Sequence, residues 1–571
     1  MTHTPAQQHA IDSEHPQILC CAGPGSGKTQ TTVDRIRRLI KTGTPPARIV
    51  ALTFTNAAAN ELQERLCNFE AKREINAEEF VTTADVIPPI NGHLGYTGTL
   101  HGFAFRMIKS HGGLLGYGPR LTVISPESAL GMLEAKADAL GCKEPVSRLL
   151  ELKEVGVDTT KRMILTETVV ASFLQDLKDA SIVDFDILLT EFARLLEEFP
   201  ETCGADFSHL FVDEVQDSSP TDWRIYRALH IPNKFLVGDP DQSIYGFRGA
   251  AVIEMNAFAD RPEVQVIELE SNFRSTDQIC QAAQRLIEHN INRINKATVS
   301  TRGPGRIILP PAAAANEGEE IGIVCRAIQE MIALATDPNE IAVIARTNAI
   351  AGAFQKTLAA CHVPVRQRKK SDLPSDWPRA RALVEFMADP DNDTLAYLYL
   401  TQASQDPNAM RRHAQSLGQT INQQFHLIPS DLLTVKDAPQ YLHRAGMSHE
   451  AVMLVAERLQ DIQPDATMAE LALVLARPEE GIQEEGEGVH CLTIHGAKGR
   501  EFAAVFLVGM EEETIPGKRK DMNIEESRRM CFVAATRAKD FLSISYAQSR
   551  VTPWGHIQPM TPSRFIQEML P

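Results

Sequence analysis

Ala22-Gly23-Pro24-Gly25-Ser26-Gly27-Lys28-Thr29 follows the short apolar run Ile18-Leu19-Cys20-Cys21 and precedes a helical pattern beginning near Thr31. The order strand, glycine loop, helix is that of a nucleotide-binding P-loop. Backbone N–H groups freed by Gly23, Gly25 and Gly27 can curl around phosphates at the positive end of the following helix. Lys28 can then reach the β- and γ-phosphates, and Thr29 can hold Mg²⁺. Ala22 replaces the first glycine, a small change that leaves the loop feasible. On its own the motif also fits a glycine-rich structural turn.

A P-loop needs an acidic partner for the metal and a group to activate water. The run Phe211-Val212-Asp213-Glu214-Val215-Gln216-Asp217, after the apolar stretch His209 to Val212, supplies both. Asp213 is expected to bind Mg²⁺ and Glu214 to orient or deprotonate the attacking water. A strand ending in a solvated acidic loop would look the same in isolation. The two motifs together, in this order and each at a strand end, point to ATP hydrolysis.

The 571 residues, 43% of them apolar, suffice for several cores, and length alone suggests about four domains. The N-terminus has no basic region followed by an apolar stretch, and no run of about 18 apolar residues occurs, so neither export nor membrane insertion is expected. A cytoplasmic or nucleoid-associated location follows. The ten cysteines form no CxxC pair and the 17 histidines no metal motif, which reads as reduced, buried thiols. A net charge of −17 argues against coating nucleic acid with the whole surface, leaving local patches such as 366–370 and 518–520. The acidic stretches 484–487 and 511–513 would repel a phosphate backbone unless turned away from it.

Further segments recur in one order: ALTFTNAAANELQERL (51–66), GTLHGF (98–103), VDEVQDSSPTDW (212–223), VGDPDQSIYGFRGA (237–250), LESNFRST (269–276), LTIHGAKGREFAAVFLVGMEEETIP (492–516) and EESRRMCFVAATRAK (525–539). This series, from about Thr4 to Tyr546, resembles the superfamily 1 DNA helicases of the UvrD/Rep/PcrA type, the 3′-to-5′ translocases. The resemblance implies an ATP-dependent DNA translocase and helicase using ATP and Mg²⁺, with single-stranded DNA and duplex/single-strand junctions as partners. It serves DNA repair, replication or recombination, and a partner protein would activate unwinding.

The same resemblance assigns residues. Gln7 would read the adenine edge and Phe273 stack beside the base, in place of a tyrosine. Glu501 would lie near the ribose, and Gln30 replaces a frequent arginine after the P-loop. Gln242 would sense the γ-phosphate, and Arg274 and Arg537 would close on it as fingers. On the DNA side it assigns Phe54, Thr55, His101, Tyr245, Phe247, Arg248 and His495. Phe247 replaces a tryptophan that stacks on a base, and Ala57 a lysine. Core packing, surface pairing or solvation would be the plainer role for several of these, His101 above all.

Strand and helix patterns alternate around the motifs, giving an α/β fold. The resemblance identifies it as two RecA-like P-loop domains with ATP in the cleft between them, each interrupted by a mainly helical insertion. The expected cores are 1–103 with 181–275 and 276–378 with 486–571; the insertions are 104–180 and 379–485, the second shorter than its family counterpart. PPAAAANEGEE (310–320) reads as a surface loop between strand and helix. Two other readings compete: a P-loop kinase of a small molecule, and a catalytically reduced DNA-binding subunit of a helicase-nuclease complex. The first leaves SIYGFRGA and THGAKG-like segments without a role; intact Lys28, Asp213, Glu214, Gln242, Arg274 and Arg537 speak against the second.

Overall fold

The computed structural model describes residues 3–67, 94–155, 165–246, 252–369, 373–403, 407–416, 419–428, 434–459, 462, 466–476, 483–518, 523–551 and 556–570. Six parallel strands form one sheet in the order Tyr96–Thr99, Ile49–Thr53, His209–Val212, Asn233–Gly238, Gln17–Ala22, Gln265–Leu269. Parallel strands are covered on both faces, so they read as unbroken apolar runs. Side chains nonetheless alternate. Ile18, Cys20 and Ala22 pack with Val33 and Ile36 of the helix after the P-loop, whereas Leu19 and Cys21 join Phe192, Leu196 and Trp223 on the opposite face.

A second parallel sheet has the order Arg306–Ala314, Ala538–Ala547, Phe502–Leu507, Ile341–Ala345, His490–Thr493. Ala342 and Ile344 face one core, Ile341, Val343 and Ala345 the other. The expected loop at 310–320 is strand as far as Ala314 and helix from Glu317, leaving only Ala315 and Asn316 between them. The Arg306–Ala314 strand resumes pairing at Ala312 after a register shift, and helix Glu317–Ala333 starts three residues after Ala314. Pro310 and Pro311, which have no N–H to give, fall in the shift at an edge strand, where no ladder bond is required of them.

Helices Pro126–Ala139, Val146–Val155 and Leu165–Asp179 lie between strands of the first sheet, and helices from Trp377–Ala388 to Met468–Leu475 between strands of the second. The two helical regions share one hydrophobic core. Leu133, Val170 and Phe173 of the first pack in the same cluster as Leu383, Phe386 and Leu471 of the second. Polar contacts reinforce it: Ser125 N donates to Glu385 Oε1 at 3.0 Å, and Arg120 Nη1 bridges Asp389 and Asp391, both at 2.8 Å.

The charged runs singled out in the sequence are largely paired. Glu511 is buried against Arg550, Glu512 meets Arg564, and Glu513 meets Lys518 at 3.1 Å. Glu484 is held by His490 at 2.6 Å and Arg500 at 2.7 Å. Arg366 Nη2 donates to Asn339 Oδ1 at 3.0 Å; Lys370, Arg519 and Lys520 lie outside the described residues. The nine cysteines whose side chains the structure describes are all free, and of them only Cys361 is exposed.

Candidate nucleotide and nucleic-acid site

The strands Gln17–Ala22, His209–Val212 and Asn233–Gly238 are neighbours, so the loops leaving their C-terminal ends converge. After the first comes the P-loop. Gly25 and Gly27 have φ of 67° and 79°, and a Cβ there would stand 2.5 Å from Arg274 Cβ and 2.9 Å from Gln7 Nε2. Only glycine meets both demands. Lys28 and Thr29 open the Lys28–Lys41 helix, whose first N–H groups have no helical acceptor and form a positive end.

Two side chains hold this loop. Gln7 Nε2 donates to Ser26 O at 2.9 Å while its Oε1 accepts from Thr4 N at 3.0 Å. Asn272, absent from the residues chosen by sequence, donates to Pro24 O at 2.8 Å and accepts from Arg274 N and Ser275 N at 2.8 and 2.7 Å. Phe273 N adds a bond to Gly25 O at 2.9 Å. Asn272 is buried, so its amide must be satisfied, but only its place in the SNFRST run was visible in the sequence. The Phe273 side chain is exposed, and so is Gln30, which donates to Asp34 at 2.8 Å.

Asp213 and Glu214 follow the second strand. Glu214 has φ 52° and ψ 39°, a left-handed conformation that a non-glycine residue adopts at a cost and that is found at functional sites. Lys28 Nζ lies 3.1 and 3.2 Å from its two carboxylate oxygens. Burial pushes the Asp213 carboxyl up to about 6, with the Glu214 charge adding to it. Burial also acts on Glu214 but is outweighed by Lys28 and then Lys498, which hold it below the usual carboxylate range. Asp213 is half-buried and has no ion pair among the described residues, and its carboxylate with the Thr29 hydroxyl is a donor set of the chemistry that fits a divalent cation. Gln216, also unforeseen, hydrogen-bonds Glu214 and accepts from Asp239 N at 2.9 Å, joining the second and third loops.

The opposite wall comes from the second sheet. Arg537, 2% exposed, donates from Nη2 to Gln242 Oε1 at 3.2 Å and from Nε to Val533 O at 2.8 Å. Gln242 is turned by Asp239, whose Oδ2 accepts from Gln242 Nε2 at 2.7 Å. Burial, with Arg274 nearby, lowers Arg537 to about 9, and it has no carboxylate partner among the described residues. A buried guanidinium facing only neutral acceptors lacks a counter-charge. Arg274 Nε donates to Glu501 Oε2 at 2.6 Å, so that finger is engaged with its neighbour.

Lys498, not singled out by sequence, crosses the same cleft: it pairs with Asp217, donates to Gln242 O at 3.0 Å, and lies 4.7 Å from the Tyr245 ring centroid. Tyr245 stacks on Phe54 at 5.8 Å and 20°, and the His495 ring is 5.8 Å from it, tilted by 48°. Phe54 is 41% exposed, an aromatic face open to a base. Thr55 accepts from Ala58 N at 3.1 Å and so starts a helix. His101 packs its ring on Phe185 at 4.8 Å. Phe247 and Arg248 lie outside the described residues.

Two family models match the chain. The UvrD/REP helicase N-terminal domain matches residues 3–263, and the UvrD-like helicase C-terminal domain matches 267–428 and 453–549. Similar proteins include the ATP-dependent DNA helicase PcrA of Leuconostoc citreum, 28% identical over 99% of this chain and 84% of the relative. The proteins of that name from Staphylococcus epidermidis and Staphylococcus aureus are 27% and 26% identical over 99% of this chain, and 86% and 85% of their own lengths.

Proposed function

The chain belongs to the UvrD/REP helicase family, and from that premise we propose that it is an ATP-dependent DNA helicase that moves 3′ to 5′ along single-stranded DNA. The two motor cores are assigned to 1–103 with 181–275 and to 276–378 with 486–571. Residues 104–180 and 379–485 are the insertions. The observation that carries the reading is Arg537: a buried guanidinium from one core with no ion pair among the described residues, bonded to Gln242 of the other, near Glu214, the partner of Lys28.

The phosphates of ATP lie against the N–H groups of 23–29, and Lys28 exchanges Glu214 for the β- and γ-phosphates. Asp213 and Thr29 would hold Mg²⁺, which when bound would neutralise charge on the phosphate oxygens. Glu214, released from Lys28, accepts a proton or hydrogen bond from the attacking water. Gln242 and Arg537 stabilise charge on the γ-phosphate, and Arg274 joins them by leaving Glu501. Gln7 and Phe273 flank the base. Closure of the cores shifts Lys498 and Tyr245 together, because Lys498 touches Gln242, Asp217 and the Tyr245 ring, so the grip on bases at Phe54 and Tyr245 follows the state of the nucleotide.

Steady-state ATPase rates without polynucleotide, with single-stranded DNA, with duplex and with RNA test this reading. Stimulation by single-stranded DNA, lost in Lys28→Ala and in Glu214→Gln, is expected; Glu214→Gln retains ATP while Lys28→Ala loses it. No response to any polynucleotide would return the chain to the small-molecule P-loop enzymes.

A further inference from the structure

Residues 288–298 run between helix Asp277–Ile287, packed in the second core, and strand Val299–Ser300, paired with Ser271–Asn272 beside the P-loop. One end of this strap is fastened to helix Ile524–Ala535. Asn290 Nδ2 donates to Glu525 O at 3.1 Å, Ile291 N to Glu525 Oε1 at 2.7 Å, and Arg529 Nη2 to Asn292 O at 3.1 Å. The same helix ends two residues before Arg537. At the other end Arg293 grips Asp241 with Nε and Nη2 at 3.2 and 2.9 Å. Lys296 Nζ donates to Asp239 Oδ1 at 2.5 Å and to Asp241 Oδ2 at 2.6 Å.

These four side chains are at most 5% exposed. Burying four charges is an expensive way to fill space, and well-packed apolar groups serve folding as well or better. What distinguishes the cluster is the second oxygen of Asp239, which holds Gln242 Nε2 and thereby leaves Gln242 Oε1 to face Arg537. Asp239 N also holds Gln216, the partner of Glu214. An uncompensated Asp239 carboxylate would draw on its donors, Gln242 Nε2 and Asp241 N, differently, and a one-ångström error at a reacting centre is costly.

We propose that Lys296, assisted by Arg293, is a positioning residue for the γ-phosphate response: it locks Asp239 and Asp241 so that Gln242 keeps its orientation, and through the 288–298 strap it ties that orientation to the Ile524–Ala535 helix. The inference rests on the ATPase reading above. The Lys296 ammonium bonds Asp239 and Asp241, and its influence passes through Asp239.

The test uses full-length Lys296→Met, Lys296→Arg and Arg293→Gln beside the unaltered protein. ATPase kcat and KM are measured at saturating single-stranded DNA, and DNA affinity is measured with ADP and with a non-hydrolysable β,γ-imido triphosphate. Lys296→Met should lower kcat by about 10²-fold with KM for ATP changed only a few-fold. The difference in DNA affinity between the two nucleotides should collapse, and Lys296→Arg should restore part of it. A lowered unfolding midpoint with the nucleotide-dependent difference intact overturns the proposal, as does an unchanged kcat. If Lys296→Met does not fold, Arg293→Gln carries the same expectation at smaller size, and an unaltered nucleotide response in it overturns the idea equally. A lack of DNA stimulation in the unaltered protein is a failure of the ATPase reading, visible before any variant is made.

Discussion

Arg537 Nη2 donates to Gln242 Oε1 at 3.2 Å, so the proposed arginine finger and the proposed γ-phosphate sensor touch directly. A pair acting on one phosphate should be non-additive. Arg537→Ala is expected to reduce DNA-stimulated kcat by about 10³-fold or more, with ADP affinity retained. Gln242→Ala added to it should cost little further. Lysine should not rescue, because a point charge cannot replace a fork fixed on Val533 O and Gln242. Single-turnover hydrolysis by the four variants of the double-mutant cycle checks this; additive losses would mean the two act separately.

Lys498 sits on Tyr245 and on Asp217 at once, so a base arriving at the ring competes with the ammonium. Lys498→Met should lower the ratio of DNA-stimulated to DNA-free ATPase, since the link between the aromatic face and the acidic loop is cut. The two rates measured side by side decide it; an unchanged ratio would leave Lys498 as a mere cleft salt bridge.

Phe54→Ala removes an exposed platform and no phosphate contact. Single-stranded DNA affinity should fall by about 1–3 kcal/mol while DNA-free ATPase stays as it was. Fluorescence anisotropy of a labelled oligonucleotide gives the first quantity. Phe247→Ala is expected to slow stepping along DNA in the same way, with chemistry spared.

Glu385 is fully buried at the junction of the two helical regions, and burial pushes its carboxyl up to about 7. A folded value above the unfolded one means that this group's stabilisation is present below about pH 4 and is lost as pH rises through 7. Glu385→Gln, permanently neutral and able to accept from Ser125 N, should therefore stabilise the chain at pH 8 by on the order of 2 kcal/mol and change little at pH 5. Denaturant unfolding at the two pH values measures it.

The two helical regions share a core, so the second cannot turn freely against the first without exposing Leu383, Phe386 and Leu471. Translocation on single strands should be efficient and unaided unwinding of long duplexes weak, improving with a partner or a second protomer. Forks of increasing duplex length, read beside strand-end fluorescence for translocation, test this. Processive unwinding by the lone monomer would show that the shared core opens in the working cycle.

What the sequence by itself determined were the local pieces. Glycines at 25 and 27 fix the loop because only they tolerate its φ and its close neighbours. Apolar runs such as Ile18–Cys21 announce parallel strands buried on both faces, and Asp213-Glu214 follows a strand end as a metal and water site requires. The tertiary structure decided the partnerships, because they join residues far apart in the chain. Gln7 holds Ser26, Asn272 holds Pro24, Lys498 reaches Asp217, and Lys296 reaches Asp239 and Asp241. No periodicity records such pairs: a hydrogen bond or ion pair depends on where the sheet order brings two loops, not on the residues beside either one. The shared core of the two helical regions escaped for the same reason, since an apolar helical face shows that it must be covered and not by what.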